Sequence, residues 1–148
     1  LIPLWFCGAH WSPLPKVVIV CAAPDLPRAF YIGFGIAVGR VAHRLSRNIG
    51  IICSADQGHG HDDSGPYGFS EASADYDRMY CEVVETCRFE DMLDWEPLWI
   101  EAALADSYCQ TLILYGNTLL SPMKFELTSY EAPTYFGMAT AIGIPVEA

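Results

Sequence analysis

The sequence predicts an α/β fold: three-layer α/β/α with a central, mostly parallel (mixed) sheet, truncated at the N-terminus. Three observations predict it. Residues 16–22 (KVVIVCA) and 48–53 (NIGIIC) are apolar, β-branched runs of strand length. Between them, residues 29–46 repeat apolar side chains at helical spacing. A hydrophobic share of 52% and a mean hydropathy of +0.22 suit a sheet covered on both faces.

The elements follow in order. Residues 1–6 (LIPLWF) lack an initiating Met and read as a strand or structured segment already inside a domain. Run 16–22 reads as a central strand, broken by Pro24-Asp-Leu-Pro27. On the helix at 29–46, Phe30, Phe34, Ala37, Val41 and Leu45 form the apolar stripe. Gly35 and Gly39 there permit close packing on a sheet, at a cost of about 1 kcal/mol each relative to Ala. Arg40, Arg44 and Arg47 suit the negative end of its dipole. With 48–53 as the second central strand, strand, helix and strand form a right-handed parallel crossover.

Ser70 can cap a helix running to about Arg88. Tyr76, Met79, Tyr80, Val83, Val84 and Cys87 form its stripe, and Glu71, Asp75 and Asp77 favour its first turns. A turn at 90–94 leads to a helix at 98–115 that Pro97 can start and Gly116-Asn117 ends. Residues 125–130 alternate like a strand, 131–133 form a loop, and 135–144 read as the last strand. No internal boundary divides the chain, so residues 1–148 read as a single domain.

Composition excludes several roles. The net charge is −10, and 14 of the 18 acids lie within residues 56–106, opposed there only by Arg78 and Arg88. Nucleic acid and anionic membranes are therefore not expected partners. The most apolar stretch, residues 29–38, is too short to span a bilayer. The six cysteines show no zinc spacing and read as small core residues of a reducing, cytoplasmic protein.

The chemistry concentrates in residues 53–69, where a strand-like run opens into a glycine-rich loop carrying His59, His61, Asp56, Asp62 and Asp63. Such loops are where α/β proteins keep their sites. Two readings stay open from the residues alone. His59 and His61, two apart, could present both rings to a metal in a hydrolase of the His-x-His-x-Asp-His type, although Asp62 directly follows His61 and no third histidine comes next. Alternatively one imidazole moves protons, with Asp56 orienting it.

Ser54-Ala-Asp-Gln-Gly-His59 followed by Gly65-Pro-Tyr-Gly-Phe69 resembles the LigB-type class III extradiol ring-cleaving dioxygenases, whose members carry Ser-Gly-Asp-x-Ser-His and then Pro-Tyr-Gly. The likeness continues through residues 93–119 and through Leu127-Thr-Ser-Tyr-Glu-Ala-Pro133. Residues 2–6 are similar to the segment after an Asp-His-Gly in that family. It thus covers nearly the whole chain but only the C-terminal part of the family's domain.

The resemblance implies ring opening of a catechol-type aromatic by O₂ at a non-haem Fe(II) held by two His and one carboxylate. His59 matches the acid/base histidine, steadied by Asp56. The two histidine ligands fall in the part of the domain that this chain lacks, so it is expected to hold iron weakly or not at all. Counting back from Gly116 places the carboxylate ligand at Ser107, which makes the adjacent Asp106 the metal candidate and Glu101 the fallback. His61, Tyr67 and Glu131 are substrate-binding candidates, and Tyr130 and Tyr135 could also line an aromatic pocket. Expected partners are a small aromatic diol and O₂, with a second copy or a small accessory subunit. The rival expectation is a non-catalytic relative that binds a peptide or protein in the same cleft.

Overall fold

The computed structural model describes residues 2–23 and 25–146. Its elements are helices α1 (Ile2–His10), α2 (Arg28–Arg44), α3 (Glu71–Thr86), α4 (Pro97–Ala102) and α5 (Ser107–Thr118), a 3₁₀ turn at Phe89–Asp94, and strands β1 (Met123–Glu131) and β2 (Met138–Pro145).

The expected three-layer fold with a mostly parallel central sheet is not what forms. Among the described residues the sheet is one antiparallel pair, with Met123 opposite Pro145, Glu131 opposite Met138 and a register shift between Leu127 and Ser129. Residues 16–22 and 48–53 form neither helix nor strand, and neither run joins a ladder among the described residues. β-branched composition favours an extended backbone, but a strand is completed only by a neighbouring backbone and by side-chain packing on its faces. Both are missing: Val18 is 88% exposed and Ile52 64%. The opening segment, expected to be a strand or structured segment, forms helix α1, none of whose residues is buried.

The interior forms elsewhere. Tyr76, Val83 and Val84 of α3 meet Phe89, Met92 and Trp95 of the 3₁₀ segment, Tyr108 and Leu112 of α5, and Phe125 of β1. Aromatic rings meet edge-on here, Tyr76 on Trp95 at 5.2 Å and Phe89 on Phe125 at 5.0 Å. That geometry places positive ring edges on negative faces and adds about 0.5–1.5 kcal/mol per pair beyond area burial. Helix α2 packs on α5 rather than on a sheet. Their backbones nearly touch: a Cβ on Gly35 would lie 2.0 Å from the Ile113 carbonyl oxygen, and one on Gly116 2.1 Å from that of Ile32. Arg28 anchors the start of α2 by donating to the Leu93 and Trp95 carbonyls, with its guanidinium 5.5 Å from the Tyr108 ring centre.

The helix expected at 98–115 is two helices. Leu104 breaks it with φ +56°, a left-handed conformation that costs a leucine about 1–3 kcal/mol. No glycine or proline advertises the break, because its cause is tertiary. The carbonyls of Ala102, Ala103 and Leu104 turn away from helical partners and accept hydrogen bonds from Ser70, Ser73 and His59. Of the cysteines expected in the core, Cys87 and Cys109 pack against it, Cys7 and Cys81 are half-buried, and Cys21 and Cys53 are exposed; all six are free thiols.

Candidate functional site

The glycine-rich loop is held from below by backbone bonds. Gln57 N–H donates to the Gly137 carbonyl, Gly137 N–H to Gly58, His61 N–H to Tyr135 and Gly60 N–H to the Ser73 hydroxyl. The loop and residues 135–137 therefore run side by side, and His59 rises between them and the α4–α5 break.

His59 is 9% exposed. Its Nδ1 lies 2.6 Å from the Leu104 carbonyl oxygen. A carbonyl only accepts, so Nδ1 carries the proton and Nε2 is left as the base. Asp56 Oδ2 stands 3.8 Å from Nε2, too far for a direct hydrogen bond. The sequence reading gave ring orientation to Asp56. In the structure the strained Leu104 peptide orients the ring, and Asp56, half exposed, faces the working nitrogen. Tyr67, Phe136 and Tyr135 surround the imidazole with ring centres 5.5, 5.8 and 6.1 Å away. Tyr67 is itself 60% exposed, so the cage is open on that side.

His61 turns the other way. Its Nε2 lies 2.7 Å from Asp77 Oδ2. Asp77, 1% exposed, also accepts from Tyr130 Oη at 2.6 Å and, at Oδ1, from Gly58 N–H at 2.7 Å. Burial, then the hydrogen bond to Asp77 and its negative charge, push the Tyr130 hydroxyl above the ordinary phenol range. A cavity of about 670 Å³ opens on this side, lined by His61, Arg78, Cys81, Glu82, Glu85 and Tyr130 among others. His59 is not on its wall. Burial, then Asp77 and Glu85, push the Cys81 thiol there up to about 11.

A third cluster ties the loop to α5. Tyr76 Oη donates to Ser107 Oγ at 2.9 Å, and Ser107 Oγ donates to Gln57 Oε1 at 2.6 Å. The position that the count from Gly116 assigned to a carboxylate ligand is thus a buried serine linking two side chains. Asp106, one residue earlier, is exposed at the start of α5, and its N–H donates to the Asp56 carbonyl at 3.3 Å.

Among the sequence candidates, the structure gathers His59, Asp56, Tyr67 and Tyr135, with Asp106 on the adjoining turn. It sends His61 and Tyr130 to Asp77, and leaves Glu131 exposed at the end of β1, opposite Met138. Glu101 is exposed on α4. Asp77, Gln57, Ser107 and the Leu104 carbonyl were missed. Asp77 had a signal: with Ser73, Tyr76, Tyr80 and Val84 it repeats at helical spacing on the apolar face, where a carboxylate needs partners. Reading it as a charge for the helix dipole overlooked that face. Ser70 does precede α3, but its hydroxyl donates to Ala102 rather than to the helix.

Among the described residues no three His, Cys, Asp or Glu side chains converge as metal ligands. The Nε2 of His61 is taken by Asp77, and His43 bonds Ser121 on the far side of α2. The helices described also include none long and apolar enough to cross a membrane.

No family model matches the chain. It is similar to Protein CA_C1420 of Clostridium acetobutylicum, at 24% identity over 131 residues, which are 88% of this chain and 28% of that protein. The chain therefore spans less than a third of that relative's length.

Proposed function

We propose that this chain supplies the proton-transfer wall of a LigB-type extradiol dioxygenase centre, with His59 as acid/base for a catechol-type substrate. One observation carries the reading: His59 is nearly buried, with Nδ1 donating to a fixed carbonyl and Nε2 free beside a carboxylate. A general base needs that arrangement, with one nitrogen locked as donor and the other held out toward the proton it accepts. Tyr67, Tyr135 and Phe136 offer flat apolar surface to an aromatic ring beside the imidazole. A diol hydroxyl set against Nε2 would lose its proton to His59, and Asp56 would stabilise the resulting imidazolium. The same proton would return to an oxygen of the opened product.

The reading requires two histidine ligands for Fe(II) from outside the described residues. Asp106, on the turn bonded to Asp56, is the carboxylate this chain could add. The test is O₂ uptake by the complete gene product, charged anaerobically with Fe(II), against a panel of catechols, gallates and protocatechuates. Ring-opened product is the expected result. No O₂ uptake with any of them defeats the enzyme reading and leaves the binding relative.

A further inference from the structure

We propose that Asp77 is the positioning residue of this site, acting through Gly58 on one wall and Gly137 on the other. The role rests on His59 being the working group, but the structural claim stands on its own geometry. Asp77 leaves the buried face of α3 beneath the two strips of backbone that form the site. Its Oδ1 holds Gly58 N–H, the peptide group next to His59. Its Oδ2 holds the His61 ring and the Tyr130 hydroxyl, tying the loop to the end of β1. Gly58 and Gly137 are in turn hydrogen-bonded to each other at 2.9 Å. Gly137 lies against the same carboxylate: a Cβ there would be 1.9 Å from Asp77 Oδ2, so the strip bearing Tyr135 and Phe136 closes only over a glycine.

Three donors converge on one side chain that is 1% exposed. A carboxylate can accept all three, whereas a carboxamide offers one acceptor and two donors. Asp77→Asn therefore keeps the shape and removes the fit. Either Gly58 or the His61 and Tyr130 pair must face an N–H. His61 can meet that by moving its own proton to Nδ1; Gly58 cannot move its proton at all. The carboxylate thus also fixes His61 as the Nε2–H tautomer.

The experiment is ¹⁵N NMR of the histidine rings together with amide exchange on the purified protein, in wild type, Asp77→Asn and Tyr130→Phe. Wild type is expected to show His61 protonated at Nε2 and His59 at Nδ1, each as a single tautomer. In Asp77→Asn the carboxamide N–H must face one side: either His61 switches to Nδ1–H while Gly58 stays bonded to the remaining oxygen, or His61 is unchanged and exchange at Gly58 quickens about a hundredfold, with amides in the middle of α5 protected in both cases. Tyr130→Phe removes one donor, leaves the carboxylate, and quickens Gly58 by about tenfold at most, with His61 unchanged. Should Asp77→Asn fail to fold, Tyr130→Phe decides: His61 shifting tautomer there would mean the carboxylate alone does not hold it. An unchanged His61 tautomer and Gly58 exchange within about threefold of wild type in Asp77→Asn overturn the proposal. Neither readout uses ring opening, so an inactive wild type defeats the dioxygenase reading without touching this one.

Discussion

Replacing Ser107 with alanine removes a single oxygen and tests how the His59 loop is fastened to α5. That oxygen accepts from Tyr76 and donates to Gln57, and both partners are buried, at 0% and 2% exposure. Ser107→Ala therefore strands a phenol donor and an amide acceptor. Each orphaned buried group costs about 1–3 kcal/mol, and partial relaxation keeps the expected total near 2–4 kcal/mol. Tyr76→Phe should cost less, about 1 kcal/mol, because Ser107 keeps Gln57 as partner. In the double variant there is no phenol left to strand, so the losses should fall short of additivity by about 1 kcal/mol. Urea unfolding followed by tryptophan fluorescence measures all three, since Trp95 and Trp99 pack on Tyr76 with ring centres 5.2 and 5.7 Å away. A Ser107→Ala variant within about 0.5 kcal/mol of wild type, or strict additivity, would refute the reasoning.

Two further predictions concern packing and pH. Gly116→Ala should cost at least about 1–3 kcal/mol because its Cβ meets the Ile32 backbone at 2.1 Å. Gly33→Ala on the open face of α2, where nothing lies within 4 Å, should be neutral or stabilise by about 0.5–1 kcal/mol; equal effects of the two in thermal unfolding would contradict the tight crossing. Cys81, moved from the ordinary thiol value of 9.0 up to about 11, should resist iodoacetamide near neutral pH and react as pH climbs, lagging exposed Cys21 by peptide mass spectrometry. The sign for stability follows: the folded chain keeps protons on Cys81 that the unfolded chain releases above about 9, so stability falls as pH rises through that window. Tyr76 and Tyr130, both raised chiefly by burial, push in the same direction at higher pH. A stability profile flat or rising on the alkaline side would count against these assignments.

What could be read from the sequence divides along a physical line. Helix α3 was visible because an amphipathic stripe is a local pattern; α2 was placed by the same pattern, but its expected stripe of Phe30, Phe34, Val41 and Leu45 is exposed and the face that packs is Tyr31, Gly35 and Gly39. The strands expected at 125–130 and 135–144 form as β1 and β2 with shifted ends. The parallel sheet was inferred from composition at 16–22 and 48–53, but strand pairing is a property of neighbours, and those residues carry no record of which backbone lies beside them. The break at Leu104 was invisible for the related reason that its three carbonyls are recruited by Ser70, Ser73 and His59, residues 30 to 45 positions away. At the site, His59 and Asp56 stood out by residue type and glycine setting. Their true supports did not: one is a main-chain carbonyl, one a buried serine, and one an aspartate hidden among the charges of an acidic helix.

The most direct measurement is the rate of ring opening by His59→Gln against wild type, at equal Fe(II) content and across pH. A glutamine can keep the contact to Leu104 but cannot accept the diol proton. The account predicts a fall in kcat/KM of about 10²–10⁴-fold, with the ionisation of the base gone from the pH profile. A variant that opens the ring at the wild-type rate with an unaltered profile would contradict it.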